Sequence, residues 1–138
     1  MQLGANSKLD LIRRVPLFSS ASKPQLAEIA SIADEIDLPA GKTLIKEGDS
    51  GHEFFVIIEG TAVVERGGKK VAELGPGDFF GEIALIAKTP RNATIKTTSP
   101  IRALVITDRA FRQLLDHSPN IQVKVLTALA ERLAPTSL

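Results

Sequence analysis

The chain has 138 residues, 43% apolar and 24% charged, with a formal net charge of +1, so one domain spanning 1–138 with a single core is expected. A mean hydropathy of +0.09, with apolar runs as short as Phe54 to Ile58 and Ile83 to Ala87, is not that of a membrane-spanning chain. Cysteine is absent, which removes disulfides, thiol catalysis and thiolate metal sites, and the interspersed charges form no footprint for nucleic acid or anionic lipid.

The N-terminus, MQLGANSKLDLIRR, carries no export signal, so a cytoplasmic location is expected by default. Residues 1–35 read as an N-terminal helical segment, because Leu9, Ile12 and Val15, then Leu26, Ile29, Ala30 and Ala33, recur at three- and four-residue spacings. Pro16 and Pro24 interrupt it. Ser22 caps the second helix, which is expected to end before Pro39 and Gly41. Residues 36–107 then read as short β runs: 42–46, 53–59, 61–66, 69–74, 93–98 and 101–107. Glycines 48, 51, 60, 67, 68, 75 and 77 punctuate them as turn residues, which predicts an antiparallel β-roll, with Gly67-Gly68 as a hairpin turn. Phe54, Phe55, Phe79 and Phe80 read as its core. In the last segment, 108–134, Asp108 caps a helix burying Phe111, Leu114 and Leu115, and Ser118-Pro119 closes it and opens another. That final helix carries Ile121, Val125, Leu126, Leu129 and Leu133 as an apolar stripe. The fold class is therefore α+β, mainly β, a jelly-roll-like barrel flanked by helices.

One stretch breaks the strand pattern. Glu82 to Ala87 follows Gly81 with high helix propensity and is expected to form one short helix, whose first N–H groups make an anion site. Arg91, nine residues after Glu82, is placed to offer its planar fork to two phosphate oxygens. Glu82 would repel a phosphate unless aimed elsewhere, and a sugar hydroxyl is a natural donor to it. Phosphate beside ribose suggests a nucleotide.

FGEIAL at 80–85 and PRNAT at 90–94 resemble the phosphate-binding cassette of the cyclic nucleotide-binding domain family, which includes catabolite-activator-type regulators, regulatory subunits of cyclic-AMP-dependent kinase and cyclic-nucleotide-gated channels. VPLF at 15–18, LPAGKTLIKEGD at 38–49, FFVIIEG at 54–60 and LGPGDFFGE at 74–82 are similar to the family's roll in order and spacing, so the resemblance covers roughly residues 10–133. It implies that Arg91 pairs with the cyclic phosphate, that Glu82 accepts the ribose 2′-OH, and that Gly81, Ile83 and Ala84 offer backbone groups, with Asn92 and Ala93 completing the cassette. It also implies a base pocket at Val64, Ala72 and Leu74 and a lid at Arg132 or Leu133. Asn92 departs from the usual Ala, Ser or Thr, and its amide suits either a phosphate oxygen or a guanine edge; cyclic AMP is favoured over cyclic GMP.

The expected function is a cyclic nucleotide-binding regulatory module whose C-terminal helices swing about Ser118-Pro119 when ligand binds. The alternative is a protein-interaction domain with the same roll and an empty site. An enzyme is not expected: His52 and His117 stand 65 positions apart, which offers no clustered metal site, and no nucleophile lies beside a base. No cofactor is implied. The chain ends soon after Leu133, so a separate effector protein, or an effector domain in a longer chain, is expected as partner.

Overall fold

A computed structural model of the chain describes residues 5–81 and 89–133, apart from the side chains at positions 5–7, 129, 132 and 133. Helix α1 (Ala5–Arg14) leads through a 3₁₀ turn (Pro16–Phe18) into α2 (Lys23–Ile32). Ser22 caps α2 as expected: its hydroxyl accepts from Gln25 N–H while the Gln25 side chain accepts from Ser22 N–H, a reciprocal capping box.

Helix α2 stops at Ile32, earlier than Pro39 and Gly41 suggested, because residues 34–38 form strand β1 (Asp34–Leu38). Ile36 and Leu38 alternate with Asp37 and pack toward the roll interior, a two-residue period that overrides the helical one. Strands β2 (Thr43–Ile45), β3 (Glu53–Glu59), β4 (Ala62–Arg66), β5 (Lys69–Leu74), β6 (Phe79–Phe80), β7 (Thr94–Thr97) and β8 (Ile101–Thr107) follow. Helices α3 (Asp108–His117) and α4 (Pro119–Leu133) complete the described residues. The N-cap of α3 is Thr107, whose hydroxyl accepts from Ala110 N–H, with Asp108 as the first helical residue rather than the cap.

The strands form two antiparallel sheets, ordered β1-β8-β3-β6 and β2-β7-β4-β5. Gly67 and Gly68 join β4 to β5 with φ of 58° and 79°, the left-handed pair a tight hairpin requires. Between the sheets lie Ile45, Phe55, Ile57, Ala62, Phe80, Ile95 and Ile101. On the opposite face of the first sheet, Phe54, Val56, Phe79, Leu104 and Ile106 pack against Ile12, Phe18, Ile29, Phe111, Leu114 and Ile121 from the helices.

The four phenylalanines thus divide by strand parity. Phe55 stacks on Phe80 inside the roll at 5.0 Å between ring centres. Phe54 instead stacks on Phe111 at 4.4 Å and meets Phe79 at 5.5 Å on the helical side. Only half of the set is roll core. Across the first sheet, Arg102 of β8 donates to Asp37 of β1 at 3.1 Å and lies 3.9 Å from Glu59 of β3, and the Asp37 hydrogen bond holds the guanidinium's pKa above its ordinary value. In α4, Ile121 and Val125 are buried, but Leu126, expected in the apolar stripe, is 49% exposed. Among the described residues no helix is long and apolar enough to cross a membrane.

Candidate functional site

Arg91 is the residue around which the site is built. It lies just before β7, on the approach from Pro90, and is only 7% exposed. A buried guanidinium needs polar partners on every side it presents. Nη2 donates to Glu53 O at 2.7 Å and Nη1 to Gly81 O at 3.0 Å, so the fork bridges the start of β3 and the end of β6.

Its backbone is fixed as firmly. Arg91 N–H donates to Asp49 O and Gly48 N–H donates to Arg91 O, both at 2.8 Å. Gly48 makes this possible, since its φ of 90° turns the β2–β3 loop back on the arginine. The side chain is therefore locked at root and tip, the arrangement that lets a charged group meet an anion without reorganising.

Gly81 has a φ of 97°, and a Cβ there would fall 2.8 Å from Glu53 O and 2.9 Å from Arg91 Nη1. The glycine at this position is therefore required both by its backbone conformation and by the closeness of the fork. Glu82, Ile83 and Ala84, with the short helix expected over 82–87, lie outside the described residues. Asn92 is exposed and its carbonyl accepts from Arg66 Nε at 3.0 Å. Ala93 is buried beside it.

The expected base-pocket residues sit on the adjoining sheet. Val64 pairs with Ala72 across β4 and β5 and with Ile95 across β4 and β7, while Leu74 pairs with Ala62. Val64 and Leu74 pack against the roll interior and Ala72 is exposed. The side chains of Arg132 and Leu133, expected over the base, lie outside the described residues.

Gly51, Glu53 and Asp49 escaped sequence reasoning. They act on Arg91 through a carbonyl or through the absence of a side chain, and neither leaves a mark in residue type. Two surface grooves lie elsewhere. One of about 360 Å³ is lined by Pro16, Leu17, Gly77, Asp78, Phe79, Ala128 and Glu131, so α4 borders open space along its second half. Another, of about 310 Å³, includes Arg14, Ile58, Glu59 and Pro76.

Residues 35–118 match the family model described as "Cyclic nucleotide-binding domain". The chain is 37% identical over 109 residues to the cAMP-dependent protein kinase regulatory subunit of Schizosaccharomyces pombe, covering 78% of this chain and 26% of that one. It is 35% identical over 128 residues to the cyclic nucleotide-gated potassium channel mll3241 of Mesorhizobium japonicum, covering 92% and 36% respectively. Among solved structures, the catabolite activator protein of Thermus thermophilus superposes with a TM-score of 0.78 at 26% identity, covering 86% of this chain and 58% of that one. The chain spans about a quarter to a third of the length of these curated relatives.

Proposed function

The chain belongs to the cyclic nucleotide-binding domain family, and on that premise we propose that it is a regulatory module that binds cyclic AMP, with Arg91 gripping the cyclic phosphate and Glu82 accepting the ribose 2′-OH. The observation that carries the reading is the state of Arg91: a planar cation, 7% exposed, held by backbone carbonyls at both ends of its fork. Bidentate capture of a singly charged phosphate is what that geometry suits. Gly81, Ile83, Ala84, Asn92 and Ala93 complete the phosphate cradle. Val64, Ala72 and Leu74 receive the base, and Arg132 or Leu133 covers it. Cyclic AMP is preferred because relatives carry cAMP in their names, whereas the exposed Asn92 gives no constraint toward guanine.

Binding is read out by the C-terminal helices. Helix α3 ends at His117 and α4 begins at Pro119, so the chain has a ready pivot at Ser118-Pro119, and the groove under Ala128 and Glu131 gives α4 room to move. A ligand that prefers the moved form a thousandfold supplies about 4 kcal/mol for reshaping a partner surface. The effector is a separate protein or a further domain, and the module itself performs no chemistry.

A second reading has its own support, since the bonds from Arg91 to Glu53 and Gly81 also suit a structural staple in an interaction domain with an empty site. Thermal unfolding separates the two. At a hundred times its dissociation constant, cyclic AMP should add about 2.7 kcal/mol of stability; an unchanged melting temperature across a panel of cyclic nucleotides supports the empty site.

A further inference from the structure

We infer that Gly51, a turn residue by its position in the chain, is the positioning residue that sets where the Arg91 fork lies, and that its missing side chain is a condition of ligand affinity. The inference rests on the reading of Arg91 as the phosphate ligand. A Cβ on Gly51 would fall 2.5 Å from Arg91 Cζ and 2.9 Å from its Cδ, and would press on Nε. These separations are well inside van der Waals contact. Gly51 has none of the positive φ seen at Gly48 or Gly81, so its backbone conformation does not call for glycine. Closeness to the guanidinium is the reason left.

The consequence of filling that space follows from how Arg91 is held. Its backbone is hydrogen-bonded in both directions to the 48–49 turn, so the root of the side chain stays in place. The guanidinium yields instead. As it tilts away from position 51, it loses the geometry of its bonds to Glu53 O and Gly81 O, and a misdirected fork no longer presents two parallel donors to a phosphate. A Cβ at Gly81 would likewise crowd Nη1, so two glycines border the guanidinium. Of these, only Gly51 can accept a side chain without backbone strain, which makes it the informative position.

The test is a double-mutant cycle on the full chain freed of bound nucleotide, with Gly51→Ala and Arg91→Ala alone and together, and Gly75→Ala as control. No atom lies within 4 Å of a Cβ at Gly75, and its φ is not positive. Calorimetry with cyclic AMP should show Gly51→Ala weakening binding at least tenfold and Gly75→Ala leaving it unchanged. In ligand-free protein, Gly51→Ala should lower the melting temperature when Arg91 is present and have no effect when Arg91 is Ala. Equal destabilisation in both backgrounds, or unaltered affinity in Gly51→Ala while Arg91→Ala binds weakly, overturns the role of Gly51 alone. Unaltered affinity in Arg91→Ala overturns the phosphate reading, and with it the role of Gly51 toward ligand.

Discussion

Two carbonyls, from Glu53 and Gly81, receive the Arg91 fork, and both lose a charge-assisted partner if the arginine is removed. In the proposed complex the buried guanidinium and the cyclic phosphate form a hydrogen-bonded charge pair, and truncating one member of such a pair costs about 2–5 kcal/mol. Arg91→Ala should therefore weaken cyclic AMP by two orders of magnitude or more in calorimetry. Arg91→Lys should recover only part of this, because an ammonium restores charge without the planar fork. A lysine variant that binds as tightly as the native chain would show that charge alone matters. Arg91 was legible as a candidate in the sequence because a cation that follows Pro90, nine residues after the glycine-led segment at Glu82, is chemically conspicuous. Gly51 and the carbonyl of Glu53 were not, since a backbone group is the same in every residue type and only the fold shows which one it meets.

Individual elements depend on polar groups at their ends. Replacing Ser22 by Ala removes the hydroxyl that accepts from Gln25 N–H while leaving the backbone N–H that donates to the Gln25 side chain, and should cost about 1 kcal/mol in urea unfolding. Ser118, between α3 and α4, has the opposite sign. It is fully buried, and among the described residues its hydroxyl has no hydrogen-bond partner, a condition that costs about 1–3 kcal/mol. Ser118→Ala should accordingly stabilise the ligand-free chain by about 1 kcal/mol; a loss of stability would mean that the hydroxyl is bonded. At α3 two adjacent capping types, Thr107 and Asp108, left the cap to be placed by the fold, but the Ser22 cap and the Gly67-Gly68 hairpin were readable because capping and tight turns select residue types. Strand β1 was not, since Asp34 to Leu38 continues the spacing of α2 and becomes a strand only by pairing with β8, more than sixty residues later. Likewise, Phe54 and Phe55 are equally apolar, and only the sheet's parity sends one to the helices and the other into the roll.

For the molecule as a whole, the core divides into a roll interior and a helical layer, with α3 and α4 contributing to the second. Among the described residues, the segment 51–53 touches both Arg91 and the start of α3. The carbonyl of His52 accepts from Asp108 N–H at 2.8 Å, one residue from Glu53, which holds Arg91, and one from Gly51, which abuts it. The proposed readout would have this route of two peptide units between Arg91 and the start of α3. The central claim is that a cyclic nucleotide binds through Arg91. It is tested most directly by calorimetric titration of nucleotide-free protein with cyclic AMP and cyclic GMP, run beside Arg91→Ala. A saturable one-site heat with the native chain, strongest for cyclic AMP and weakened about a hundredfold or more in the variant, is the expected result. No heat with either nucleotide, or equal affinity in the two proteins, would contradict it.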